Sequence, residues 1–227
     1  MRSPIAAWQS RRRRLCRPRG EVVLIAAVAG AWLAGTAGGL GILASYAMKA
    51  PASSRPLRVW PRDSHIPHAL GACHLVAFFH PRCPCSSATL SELRRVLARA
   101  PADCRVTIAF FAPTSQPPDW GQTSLRSCAE SLNGVLVIDD IDAREARLFG
   151  AAASGHVVVY GRDDELLFAG GITASRGHEG DNLGEDSVVA ALNHRPQRAR
   201  TTPTFGCEIA PPSDGSPCPM CTQDAPR

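Results

Sequence analysis

The chain has 227 residues, enough for one ordinary domain with extensions. Its formal charge is +5, yet seven of its 25 basic residues (Arg2, Arg11, Arg12, Arg13, Arg14, Arg17 and Arg19) fall within residues 1–20, which hold no acid. The remaining 18 basic residues face 20 acidic ones. The basicity therefore belongs to a short arm, and no nucleic-acid partner is expected.

After the arm (1–20) comes VVLIAAVAGAWLAGTAGGLGILASYA, residues 22–47, without a charged side chain. As a helix it would reach about 39 Å, against a bilayer core of about 30 Å. A signal peptide has an apolar core of about 7–15 residues, much shorter than this one. A single transmembrane helix is expected over 21–48, with the arginines holding the N-terminus in the cytoplasm. RRRR also fits a twin-arginine signal, but the long apolar stretch favours an anchor. Gly35 and Gly39 form a small-xxx-small pair, which chance explains in so Gly- and Ala-rich a helix. Of nine cysteines, Cys16 would be cytoplasmic or interfacial and the other eight would face an oxidising exterior.

Residues 49–71 are Pro-rich and polar and read as a linker. The segment 72–196 alternates apolar runs with helical patterns. ACHLVAFF (72–79), CRVTIAFFAP (104–113) and GVLVIDD (134–140) read as buried strands. SSATLSELRRVLARA (86–100) places Leu90, Leu93 and Leu97 on one helical face, with Ser86 and Ser87 as candidate N-caps. Residues 123–132 and 142–150 read as short helices, 156–172 as a hairpin and 184–196 as a last helix. The order β-α-β-α-β-α-β-β-α predicts an α/β fold: a central mixed sheet with helices on both faces and an antiparallel edge. The tail, 197–227, is rich in Pro, Ser and Thr and should lack regular structure except where its cysteines tie it down.

The chemistry concentrates at HPRCPCSS, residues 80–87. A strand here delivers Cys83 to a helix start, where unpaired N–H groups and the helix dipole stabilise a thiolate. Arg82 adds a positive charge, His80 another when protonated, and Pro84 suits an early helical position. Cys83 is the candidate nucleophile and Cys85 its resolving partner. Cys-x-Cys beside His80 also suits Cu(I) or Zn, so a copper-binding module using Cys83, Cys85 and His80 is the alternative. A third reading is a scaffold that binds a protein partner without catalysis.

LVAFFHPRCPCS followed by a helix, and FGAAASGHVVVYGRDDELLFAGGI further on, resemble the thioredoxin superfamily, in particular its membrane-anchored bacterial branch. HPRCPCSSATL together with GGITASRGHEGDNLGEDSVVAAL looks like the thioredoxin-like proteins named RedB. The resemblance spans roughly residues 57–195. It implies a thioredoxin-like fold in the periplasm, tethered to the bacterial inner membrane. It also implies thiol–disulfide exchange with periplasmic thiol or disulfide proteins and needs no cofactor.

Two features depart from the superfamily pattern. One residue, Pro84, separates the cysteines where two are usual, so a Cys83–Cys85 disulfide would be strained and easily reduced. Gly155 stands where a cis-proline is usual, which places His156 beside the site unless it is a solvated strand-start residue. Pro81 completes the HPRCPC stretch.

In RGHEGDN (176–182), His178 is either an acid/base or metal-ligand candidate or part of a solvated turn. Cys218 and Cys221 have exchange-pair spacing and suit either a structural disulfide or a second thiol pair that shuttles electrons to Cys83 and Cys85. Cys73 and Cys104 read as buried core thiols.

Overall fold

The computed structural model describes residues 19–48, 50 and 56–209. Residues 1–18 of the basic arm and the pair Cys218/Cys221 lie outside the described residues. The chain divides into two units, Met1–Tyr46 and Ala47–Arg227. In the first, α1 (Arg19–Ala47) contains the apolar run Gly20–Ala47, long and apolar enough to cross a membrane. Its side chains are exposed almost throughout, as for a helix that finds its apolar surroundings outside the protein.

The second unit is a five-stranded mixed sheet. Its elements are β1 (Cys73–Phe79), α2 (Ser86–Leu97), β2 (Cys104–Ala112), α3 (Ser124–Glu130), β3 (Val135–Ile141), α4 (Arg144–Leu148), β4 (His156–Tyr160), β5 (Leu166–Gly171) and α5 (Leu183–Leu192). The strand order is β3-β2-β1-β4-β5. β1 pairs in parallel with β2 and β2 with β3, while β4 runs antiparallel to both β1 and β5. This is the thioredoxin-like arrangement, with β1 at its centre and every residue of β1 buried.

The period-2 alternation of the strands divides two cores. Leu75, Ala77, Phe79, Ile108, Phe110, Val157 and Val159 face Leu90, Leu93 and Val96 of α2 and Val188 and Leu192 of α5. Val76, Phe78, Ala109, Phe111, Val158 and Tyr160 face Ala146 and Phe149 on the other side. α2 and α5 are further tied by charge. Arg95 pairs with Asp181 at 2.6 Å and with buried Glu185, and the Gly180 N–H donates to buried Glu92 at 2.7 Å.

The stretch read as a linker is partly folded. Trp60 and Ile66 are buried in the second core. Val59 bridges to Glu165, the Leu166 N–H donates to the Arg58 carbonyl at 2.8 Å, and the Tyr160 hydroxyl donates to the Leu57 carbonyl at 3.0 Å. Leaving that buried hydroxyl unpaired would cost about 1–3 kcal/mol. The composition rule that makes Pro-rich polar segments linkers is overridden by one large aromatic side chain that needs a place in the core.

The Ser86 N-cap expectation is also corrected. Cys85 occupies the cap position of α2 with no side-chain cap bond. Ser86 is buried and bonds Ser154 instead, and Ser87 donates to the Pro84 carbonyl.

Cys73 and Cys104 are not isolated core thiols. They are register partners at the start of β1 and β2, with their sulfurs 3.3 Å apart. Oxidation is expected to join them. The ring would span a sequence separation of 31 residues, worth about 3–4 kcal/mol in the chain-entropy account. Urea unfolding of the oxidised and reduced chain measures this gain. Cys104→Ala should lower the difference between the two forms by about that amount, and a gap unchanged in that variant would rule the disulfide out.

Candidate functional site

β1 ends at Phe79, and the chain turns through His80–Cys85 before α2 begins. The turn is pinned by two backbone bonds, Cys83 N–H to the His80 carbonyl and Ser86 N–H to the Cys83 carbonyl, each 3.1 Å. Cys83 is buried, Cys85 half-buried and Pro84 exposed, while Pro81 is packed inside.

A second segment meets this turn from 124 residues away. Residues 199–209 run as a strap beside β5 and then across the loop before β4. The Ala169 N–H donates to the Arg200 carbonyl and Thr201 bridges Ala169. The Ser154 N–H donates to the Cys207 carbonyl at 2.7 Å, the Ile209 N–H to the Ala152 carbonyl at 2.9 Å, and Glu208 bridges Ala153. The fit depends on Gly206, where a Cβ would stand 1.8 Å from the Ser154 carbonyl oxygen. The strap brings the Cys207 N–H to 3.4 Å from the Cys83 sulfur.

The Cys83 thiol is consequently lowered from 9.0 to about 5. The largest cause is the hydrogen bond from the Cys207 thiol, which overcomes burial. Bonds from Ser86 and from the Cys207 and Cys85 backbones add to it. Its neighbours move the other way. Cys207 is raised, first because it donates to Cys83 and then by burial. Cys85 is raised by burial and by the Cys83 charge. The proton is thus distributed unequally over three thiols, with Cys83 the thiolate and the other two protonated. Arg176 lies beside Cys85 and Cys207 and donates to the Gly206 carbonyl at 2.7 Å.

Ser154 holds the two segments together. It is buried, accepts from the His80 N–H at 2.8 Å, bonds the Ser86 hydroxyl at 2.6 Å and receives the strap at Cys207.

The remaining predicted residues take other places. His80 does not supply a charge. It is fully buried beside Phe111 and Trp120, its Nδ1 accepts from the Arg82 N–H at 3.2 Å, and burial followed by the Arg82 charge lowers it to about 4. Arg82 turns to Trp120, donating to its carbonyl at 3.3 Å with the guanidinium 5.2 Å from the ring centre.

His156 is neither solvated nor charged. It is buried, paired through Nδ1 with Thr204 at 3.0 Å, and lowered to about 4 by burial. His178 is exposed in its turn, where its N–H donates to the Ser175 carbonyl. Asn182 in the same loop caps α5, accepting from the Glu185 N–H. Among the described residues no group of three or more His, Cys, Asp or Glu side chains is placed to hold a metal. Cys83, Cys85 and His80 are thus not gathered as a three-ligand group, although the two thiols touch each other.

Gly155 has φ +89°, and its N–H donates to the Phe78 carbonyl at 2.7 Å. The described residues contain no cis peptide.

Sequence reasoning missed Cys207, Arg176 and Ser154 as members of the site. The cysteine was visible in the tail, but nothing local said which face of the domain it would reach.

No family model matches this chain, and no curated protein does. Solved structures do. A hypothetical protein, SMc02350 from Sinorhizobium meliloti 1021, aligns at a TM-score of 0.54 with 19% identity, covering 71% of this chain and 97% of that one. An uncharacterized conserved protein from Geobacillus kaustophilus aligns at 0.51 with 18% identity, over 73% and 94%. A secreted Mycobacterium tuberculosis disulfide oxidoreductase homologous to E. coli DsbE aligns at 0.35 with 14% identity, over 55% and 83%. The first two likenesses are of fold alone; the sheet order is that of a thioredoxin-like domain, and a candidate membrane span precedes it.

Proposed function

We propose that the chain is a membrane-tethered thiol–disulfide oxidoreductase of the RedB type. Its N-terminal arm would be cytoplasmic and its thioredoxin-like domain periplasmic, acting on thiol or disulfide proteins there. The observation that carries the reading is the Cys83 thiol, lowered to about 5 by surrounding donors, with a second thiol two residues on. A thiolate is the attacking species in exchange, and a thiol lowered to about 5 is almost wholly thiolate at neutral pH.

The Cys83 thiolate attacks one sulfur of a substrate disulfide, and the other sulfur leaves as a thiolate. The Cys85 sulfur then attacks Cys83 in the mixed disulfide and releases the second substrate thiol. The substrate gains two electrons and the Cys-Pro-Cys pair is oxidised.

The test is reduction of insulin by the reduced full chain in detergent, with trapping by a variant lacking both neighbouring thiols, Cys85→Ser with Cys207→Ser. Wild type is expected to reduce insulin, and the double variant to accumulate a mixed disulfide at Cys83. A chain that neither reduces insulin nor traps a partner at Cys83 is not an oxidoreductase.

A further inference from the structure

Cys207 has no part in that two-cysteine cycle, yet the fold holds it against the nucleophile. The strap is fixed at Cys207 and just beyond it, by the Ser154 and Ile209 backbone bonds and the Ala153–Glu208 bridge. His156, Thr204 and Arg176 add further anchors. A bare sulfur-to-tail contact would need none of these. We propose that Cys207 is a third redox thiol of the site, which attacks Cys83 in the oxidised Cys-Pro-Cys pair and carries the disulfide to the strap. The proposal rests on the exchange reading above.

The step is balanced without any outside reagent. The Cys207 sulfur bonds to the Cys83 sulfur, the Cys83–Cys85 bond breaks, and Cys85 leaves as a thiolate that takes up the proton Cys207 gives up. No net oxidation occurs, because the two electrons have already gone to the substrate disulfide.

Two physical features drive the exchange forward. A Cys83–Cys85 disulfide must close around a single proline, with Cys85 already in helical backbone at φ −71°, ψ −18°, and strain makes such a bond more reducible. A Cys83–Cys207 disulfide joins segments 124 residues apart that already touch, and so escapes the ring constraint. Timing follows from the contact between the two thiols. The hydrogen bond that Cys207 gives Cys83 is the largest influence raising it. Once Cys83 is in a disulfide that influence is gone, and Cys207 gives up its proton more readily than in the reduced site. The consequence is a two-stage device: an oxidising pair meets the substrate, and a more stable pair stores the disulfide and seals the strap over Cys83.

The experiment uses the reduced full chain in detergent, with oxidised glutathione as substrate disulfide. Samples are quenched by alkylation and the linked peptides identified by mass spectrometry. Trypsin with a glutamate-specific protease separates Cys207 from Cys218 and Cys221, because Glu208 lies between them.

In wild type the Cys83–Cys85 linkage is expected to form and decay into Cys83–Cys207. In Cys85→Ser the glutathione adduct at Cys83 should pass directly to Cys83–Cys207. In Cys207→Ser the product should stop at Cys83–Cys85 and be reduced by glutathione at equilibrium at least about tenfold more readily, about 30 mV for a two-electron couple. If Cys83–Cys85 forms while Cys83–Cys207 is absent from both wild type and Cys85→Ser, the role of Cys207 is overturned and the exchange reading stands. If Cys83 acquires neither glutathione nor a disulfide in any variant, the exchange reading itself falls, and this inference with it.

Discussion

Alkylation of Cys83 by iodoacetamide in the reduced chain is expected to be half-maximal near pH 5 and flat above about pH 6, followed peptide by peptide by mass spectrometry. An ordinary cysteine has a pKa of about 8.5, so at pH 6 Cys83 should react about tenfold faster than an unperturbed thiol of equal access, its larger thiolate fraction being partly offset by the weaker nucleophilicity of a low-pKa thiolate. The cause is local and removable. The Cys207 thiol is the largest influence lowering Cys83, so Cys207→Ala should move the midpoint up. A wild-type midpoint in the ordinary thiol range would remove the thiolate from the argument.

The same shift links to folding. A pKa lowered from 9.0 to about 5 means that the folded state binds this proton less readily than the unfolded one. The stabilisation is therefore complete above the unfolded value and is lost as pH falls through about 5. The reduced chain should lose stability across that window, and Cys83→Ala should flatten this part of the curve. His80 and His156, each lowered from 6.5 to about 4 by burial, contribute in the same direction. They favour the fold above 6.5, and that contribution fades as pH falls through about 4.

How much of this could be read in advance differs sharply between local and distant features. Strands such as Cys73–Phe79 and Cys104–Ala112 are continuous apolar runs with proline or polar residues at their ends, so period and punctuation suffice. The Cys83 turn was legible for the same reason, since a strand and a helix bracket it. The strap was not. Its hold on the domain is made of backbone bonds and of close approaches at Gly206 that depend on residues distant in sequence. Local pattern carries no such information. Charge reasoning failed at His80 because it counted side chains by proximity in sequence, whereas burial keeps this one neutral.

The Gly155 position makes the clearest structural test. Installing the proline that thioredoxin-like proteins usually carry there, Gly155→Pro, is expected to destabilise the domain by about 3 kcal/mol or more. Proline is held near φ −65°, whereas Gly155 sits at +89°. The substitution would also delete the N–H that bonds the Phe78 carbonyl at 2.7 Å, at the junction between β1 and the site. Gly155→Ala should cost less, about 1–2 kcal/mol for the left-handed backbone, plus a clash that Thr89 must absorb. The new Cβ would lie 2.7 Å from the Thr89 hydroxyl oxygen. These two contributions separate in a double-mutant cycle. Thr89→Ala should recover the steric part of either substitution and leave the backbone part, which is larger for Gly155→Pro, with urea midpoints as the readout. A Gly155→Pro chain as stable as wild type would mean that this loop can adopt the proline-bearing geometry after all. The approach of the Cys207 strap to Cys83, which hangs from the adjacent Ser154, would then have to be rebuilt on a different backbone.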